Sequence, residues 1–381
     1  FSFNVRSNVV ASQVRIHART GGVVPEVAAR EHVERIIPVI ERALRDGTPH
    51  ASRLTSHVLR LGSAIDAIAV TAGPGLITSL AAGVETARAL AYAWRKPLVA
   101  VNHIEGHVLS ALLPRCREEQ KNHRTIEQER LRVLQSFSPT ALQFPALALI
   151  VSGGHTELLL MRGWVQYECI GATRDDAAGE AFDKVGKLLG LSYPGGPAVA
   201  RAAERGDPTA FDFPRAMLHS GDFEFSFSGL KTAVRYFVAK HQAPSTKFQI
   251  NSKSRRFGRD PDTRSSGHQI PNSQFIRDVC ASFQEAAVDV LVAKTVAAAD
   301  KYGARSVLLG GGVAANTHLR KQLIAALDAL PNVVDCRLPT VDFCGDNAAM
   351  MAAAGGVRLL LGQRTRWQDL TADPNWELGR D

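Results

Sequence analysis

Two stretches far apart in this chain follow one plan. "IDAIAVTAGPG" runs into "LITSLAAGVETARALAYAWRK", and "SVLLGGG" runs into "VAANTHLRKQLIAAL": an apolar strand, a glycine turn, then a helical segment. Strands that alternate with helices in this way give an α/β protein. A third stretch makes its sheets mixed, because "PALALIVSGGHTELLLM" holds two apolar runs separated by Gly153-Gly154. That reads as a β-hairpin with both turn positions free to take positive φ. "PLVAVNH" is another short strand, and "PEVAAREHVERIIPVIERALRD" is an amphipathic helix with Pro25 in its first turn and Gly47 as its stop. Ile276, Val279, Cys280, Phe283, Ala287, Val290 and Leu291 form the stripe of a core helix.

At 381 residues the chain is too long for one compact core, so two lobes are expected, with a ligand cleft between them. The boundaries read as 1–145 for the first lobe, completed by 348–381, and 146–347 for the second. Residues 115–143 are densely charged and 242–274 polar and basic, and both read as surface insertions. No run approaches the roughly 18 to 20 apolar residues of a membrane-spanning helix, so no membrane is expected. Five scattered cysteines without C-x-x-C spacing argue against a disulfide framework and for a reducing compartment. A net charge of +8, from 45 basic and 37 acidic residues, favours a polyanionic partner without requiring one. The chain opens on "FSFNVRSNVV" without Met or a signal-peptide pattern, which reads as a processed or trimmed start.

"VNHIEGHVLS" places His103 and His107 four apart, one face of a helix, where two imidazoles can share a cation. Spacing alone is weak: twelve histidines in 381 residues give about 0.4 such pairs by chance. Glu105 is not placed as in H-E-x-x-H, where the glutamate follows the first histidine and acts as base. It lies about 200° round the helix from His103, away from any shared metal. A third ligand must come from elsewhere, and "DFCGDN" offers Asp342 and Asp346 just ahead of a helix. Four glycine loops, "TAGPG", "SGGHT", "YPGGP" and "LGGGVAAN", are each ordinary turn punctuation. Together, with no P-loop and no G-x-G-x-x-G, they suggest a nucleotide held between lobes as in an actin-like ATPase. Asp175, Asp176, Glu180 and Asp183 fall within nine residues at a helix start, where acidic charge is also simply favourable.

The stretches "SNVVASQVRIHARTGGVVPEVAAREH", "TAGPGL", "NHIEGHVLSALL", "LIVSGGHTELL", "DDAAGEAFDKVGKLLGLSYPGGP", "FSFSGLKTAVR", "GGGVAANTHLR" and "FCGDNAAMMAAAG", in this order, resemble the TsaD family of tRNA N6-adenosine threonylcarbamoyltransferases. The family was once described as O-sialoglycoprotein endopeptidase. The likeness spans nearly the whole chain and leaves out the two charged segments. It implies an actin-like (ASKHA) two-lobed fold and transfer of threonylcarbamoyl from threonylcarbamoyl-AMP to N6 of adenosine 37, in tRNAs reading codons that begin with A, releasing AMP. It implies one divalent ion per subunit, zinc or iron, held by His103, His107 and Asp346. By position, the backbone of Ile150, Val151, Ser152, Gly153 and Gly154 resembles the loop that faces the donor's phosphate. Asp183, Gly196 and Asn316 resemble the adenylate contacts.

The resemblance further implies tRNA and threonylcarbamoyl-AMP as partners, with a threonylcarbamoyl-AMP synthase upstream. His155 in "SGGHT" is similar to the bacterial and mitochondrial branch, and the two basic insertions turn the expectation to a mitochondrial matrix enzyme acting as a homodimer. The alternative is the bacterial cytoplasm with helper subunits. The family opens with a strand carrying an E-T-S-C-D-like stretch, which nothing before "FSFNVRSNVV" matches, so the chain is expected to be given without its true N-terminus. Two other readings stay open: a metalloprotease, and a non-catalytic nucleotide-binding subunit.

Overall fold

The computed structural model describes residues 1–20, 22–47, 62–114, 142–241 and 273–380. Nearly all of the two charged segments therefore lies outside the described residues. Helix α1 (Val14–Thr20) precedes the long α2 (Pro25–Gly47), which starts at the proline and ends at the glycine picked out from the sequence. Its apolar stripe is not a buried face: Val33 and Ile37 are exposed, and only Ala28 is fully buried.

The first strand-loop-helix unit is β1 (Ile68–Gly73) followed by α3 (Ile77–Trp94). β2 (Leu98–Asn102) pairs parallel to β1 with Ile68 opposite Leu98, and runs directly into α4 (His103–Ser110). A second, five-stranded sheet has the order β5-β4-β3-β6-β7. Its members are β3 (Ala146–Val151), β4 (Thr156–Gly163), β5 (Gln166–Ala172), β6 (Ser306–Gly310) and β7 (Asp335–Arg337). β4 pairs antiparallel with β3 and β5, while β6 pairs parallel with β3 and β7, so the sheet is mixed. Four helices accompany it: α5 (Ala178–Leu188), α6 (Gly195–Ala203), α7 (Ser228–His241) and α8 (Ser273–Lys301). After β6 come α9 (Thr317–Leu327) and α10 (Ala348–Leu360).

All six residues of β3 are buried, because both faces of the sheet are covered. Leu147, Leu149 and Val151 point into one core with residues of α5 and α8. Ala146, Ala148 and Ile150 point into the other, with Ile104 and Val108 of α4 and Met350 and Val357 of α10. The short α4 is thus clamped between the larger sheet and α10. The C-terminal segment ties the two sheets together: Asp373 N–H donates to the Ala72 carbonyl at 2.7 Å, and Cys169 N–H donates to the Gly379 carbonyl at 2.9 Å. No helix among the described residues is long and apolar enough to cross a membrane. Cys169, Cys280, Cys336 and Cys344 are free thiols.

Candidate metal centre

α4 starts where β2 stops, and Asn102 makes the join. Its Oδ1 accepts the Ile104 N–H at 2.9 Å, capping the helix, and its Nδ2 donates to the Trp376 carbonyl at 2.9 Å. His103 is then the first helical residue, and His107 follows one turn later on the same face, the ring centroids 4.7 Å apart. At the other end, Asn347 Oδ1 accepts the Met350 N–H at 2.9 Å and caps α10, which fixes the residue just before it. That residue, Asp346, lies with Oδ1 3.3 Å from Nε2 of both histidines. Asp342, the other carboxylate offered by the sequence, sits exposed on the turn Val341–Phe343 and takes no part.

Two ligands each about 2.1 Å from one tetrahedral ion stand about 3.4 Å apart, so the observed spacing suits a shared cation. His107 is fully buried, and neither of its ring nitrogens makes a hydrogen bond: the approach of Nε2 to Asp346 lacks the geometry. A buried lone pair without a donor is what a metal ion satisfies. Two imidazoles and a carboxylate form a donor set that takes zinc or iron. Burial lowers the pKa of His107, keeping the imidazole in its neutral, metal-binding form. Desolvation by the surrounding protein acts to raise the pKa of Asp346, although its own side chain stays largely open to solvent, and the two histidines beside it outweigh this and hold the carboxyl well below its usual range.

Glu105 faces away, as its position on the helix requires. It is buried, with Oε2 2.6 Å from Arg358 Nε on α10 and Oε1 accepting from the Tyr167 hydroxyl at 3.3 Å. Desolvation raises its pKa and the guanidinium offsets part of that shift. A carboxylate held in this way cannot serve as the base of a metalloprotease at the histidines.

One glycine loop packs directly on α4. A Cβ on Gly310, the last residue of β6, would stand 2.4 Å from the His107 carbonyl oxygen. On Gly311, at φ +90°, it would stand 2.3 Å from the Val151 carbonyl, and on Gly179 2.4 Å from the Ser152 carbonyl. Gly310 thus seats the end of β6 on the backbone of α4, while Gly179 and Gly311 pack the start of α5 and the loop after β6 against the end of β3. The β3–β4 connection differs from the sequence expectation. It has four residues, neither Gly153 nor Gly154 takes positive φ, and Ser152 makes the turn by accepting N–H donors from Gly154 at 3.3 Å and His155 at 3.0 Å. A Cβ at Gly153 or Gly154 would meet nothing within 4 Å, so their backbone is open to a ligand. Ile150 and Val151 are buried strand residues, paired with Glu157 and Thr156.

The remaining expected contacts are partly engaged. Asp183 Oδ1 accepts the Gly196 N–H at 2.9 Å, which joins those two residues directly. Asn316 Oδ1 caps α9 by accepting from His318 and Leu319, and its Nδ2 donates to Gln284 at 2.8 Å, leaving one amide hydrogen for a ligand. His155 escaped the sequence reading as a site residue. Burial first, then the neighbouring His103 and His107, lower its pKa to about 4, so it adds a neutral imidazole beside the trio. Two surface cavities, of about 380 Å³ lined by Arg201, Arg205 and Arg277 and about 660 Å³ lined by Tyr92 and Trp367, lie away from this centre.

The acidic run is mostly structural. Asp175 Oδ1 accepts the N–H groups of Phe227 and Ser228 at 2.8 and 3.2 Å, and Asp176 pairs with Lys184 and Lys231 at 2.8 and 2.5 Å. Asp175→Ala should therefore cost about 1 to 2 kcal/mol of stability in urea unfolding through the lost cap at the start of α7. An unchanged midpoint with lost activity would instead make Asp175 a substrate contact.

The chain matches the TsaD family, described as tRNA N6-adenosine threonylcarbamoyltransferase, over residues 4–121 and 131–353. It belongs to that family. TsaD relatives of this name include the protein of Anaeromyxobacter dehalogenans strain 2CP-1, 43% identical over 373 residues, 98% of this chain and 92% of that one. The relative from Geobacillus kaustophilus is 45% identical over 372 residues, 97% of this chain and 89% of that one. Among solved structures, HypF of T. kodakarensis is similar over 80% of this chain and 42% of that one, at 16% identity and a TM-score of 0.47. The TsaD match runs unbroken through 242–274 and skips only 122–130 of the first charged segment. The expectation that both segments fall outside the family is thus corrected: surface segments vary in composition without leaving a family's core pattern.

Proposed function

We propose that this chain transfers the threonylcarbamoyl group of threonylcarbamoyl-AMP to N6 of adenosine 37 in tRNAs that read codons beginning with A. The observation that carries the reading is the His103–His107–Asp346 trio, its atoms within 4.8 Å of one another, in a chain whose TsaD match is nearly full length. In the reaction, the adenosine N6 attacks the carbamoyl carbon, the bond from that carbon to the phosphate oxygen breaks, AMP departs, and N6 loses one proton. A divalent ion, zinc or iron, would supply Lewis-acid stabilisation of the charge that develops on the carbamoyl and phosphate oxygens.

The protein's own groups do the holding. The open backbone of Gly153 and Gly154 faces the phosphate, with Ile150, Val151 and Ser152 fixing the position of that loop. The second oxygen of Asp183 binds ribose hydroxyls while the first stays on Gly196 N–H, and the free amide hydrogen of Asn316 meets the adenylate. The two-lobed division, 1–145 with 348–381 and 146–347, with the nucleotide in a cleft between lobes, remains the architecture this reading requires. The packing of α10 against β1 and α4 supports it. An upstream threonylcarbamoyl-AMP synthase belongs to the same proposal, with helper subunits in a bacterial setting and a homodimer in a mitochondrial one. For the setting, the relatives' organisms, Anaeromyxobacter, Listeria and Geobacillus, favour the bacterial cytoplasm over the mitochondrial matrix.

The test is nucleoside analysis of tRNA lacking the modification, after incubation with purified chain and threonylcarbamoyl-AMP. Threonylcarbamoyladenosine should form, should vanish after chelation, and should return with zinc or iron. No product under any of these conditions would favour the non-catalytic subunit.

A further inference from the structure

Glu105 is left over once the protease reading is gone, yet it is a buried carboxylate two residues from each histidine, held by groups far away in sequence. Its partner Arg358 sits near the C-terminal end of α10, whereas Asp346 stands just before the N-terminal end of the same helix. Between these points α10 crosses α4 in close contact: a Cβ on Gly106 would lie 2.5 Å from Met351 Sδ and 3.3 Å from Met350 Cγ. α10 and the residue ahead of its cap therefore meet α4 at three places: Asp346 on the histidine face, the methionines at Gly106, and Arg358 on the glutamate face.

The contact at Gly106 is apolar, as is that of Gly355 against Ala69 Cβ. Such packing limits distance but leaves slide and rotation cheap. Glu105–Arg358 is the one hydrogen-bonded side-chain contact between α4 and α10 among the described residues. Both partners are further held. Tyr167 of β5 donates to Glu105, Gln363 accepts from Arg358 Nη1 at 2.8 Å, and the guanidinium lies 6.0 Å from the Trp376 ring centroid. Arg358 is about 11 Å along the helix axis from Met351, and Asp346 is a comparable or shorter distance on the other side. A slip of 1 Å at the ion pair, pivoting at the methionines, would move Asp346 by roughly 0.7 Å. Metal–ligand distances tolerate only about 0.2 Å.

We propose that Glu105 and Arg358 are positioning residues: their ion pair sets how α10 crosses α4 and thereby places Asp346 at bonding distance from a cation held by His103 and His107. The inference rests on the metal-centre reading above and deepens it. It also gives Glu105 a task on the face opposite the ligands, where a catalytic role is closed to it.

The test separates positioning from bulk stability. Replacing one partner leaves a buried charge and can simply unfold the protein, whereas replacing both by apolar groups of similar size is generally tolerated. Full-length wild type, Glu105→Leu with Arg358→Met, Glu105→Gln, and His103→Ala are titrated with Co(II) in competition with a chromophoric chelator. Thermal melts and the Co(II) d–d spectrum are recorded in parallel. The double variant should melt close to wild type yet bind Co(II) about tenfold or more weakly, with a shifted band. Binding within twofold of wild type with the same band overturns the proposal. If the double variant does not fold, Glu105→Gln decides by the same readouts, with weaker binding expected and an unchanged affinity and band overturning it. His103→Ala is the separate control: undiminished Co(II) binding there would remove the metal-centre reading itself, whatever the ion-pair variants do.

Discussion

Asp346→Ala should lower threonylcarbamoyladenosine formation by at least about a hundredfold and weaken binding of a divalent ion in parallel, while leaving the fold intact. The reason lies in how unequally the three ligands are embedded. His107 is 1% exposed, so truncating it opens a hole beside α4 and confounds stability with activity. The Asp346 side chain is 78% exposed and closes no core, and substitutions at such positions change stability by about 0.5 kcal/mol or less. Its removal takes away the one anionic member of the trio and leaves two neutral imidazoles, a much poorer site for a dication. The check is the initial rate of tRNA modification with saturating threonylcarbamoyl-AMP, alongside an ion titration and a urea melt. A variant that keeps its rate within threefold of wild type would leave the trio without a catalytic part.

How far this site could be read in advance depended on the range of the forces involved. The strand-loop-helix units, the hairpin and α4 itself are local, set by apolar periodicity and by glycine and proline punctuation, and they stand where the sequence put them. Whether Asp342 or Asp346 meets the histidines could not be decided by spacing, since both lie in one loop more than two hundred residues away; the family resemblance chose Asp346, and the 3.3 Å distances agree. The partner of Glu105 is 253 residues distant, and nothing in "NHIEGH" announces it. The four-residue turn at Gly153-Gly154 was missed for a different reason. A Gly-Gly pair signals a tight turn, but the side chain of Ser152 supplied an alternative acceptor for two N–H groups and made a wider one. Likewise the acidic run looked half functional, until Asp175 and Asp176 were found committed to the start of α7 and to two lysines.

Gly310→Ala tests whether the glycine loop after β6 governs the metal site through sterics. Gly310 pairs with Ile150 at the end of β6 and does not take positive φ, so backbone conformation alone does not require glycine. What requires it is the neighbour: a methyl group there would stand 2.4 Å from the His107 carbonyl oxygen and 2.9 Å from Ile150 Cδ1. Neither can yield cheaply, because Ile150 is locked in the central strand and His107 lies in a helix wedged between the sheet and α10. Overpacking of this kind costs about 1 to 3 kcal/mol, and the relief with least resistance is a shift of α4 off the sheet. That shift alters the spacing between His107 and Asp346, so ion affinity should fall about tenfold or more together with stability. Gly312→Ala is the matching control, since a Cβ there meets nothing within 4 Å, and its urea midpoint should be unchanged. Should Gly310→Ala instead match wild type in both midpoint and Co(II) affinity, α4 is free to move without disturbing its ligands, and the close approach of the glycine loop has no hold on the metal site.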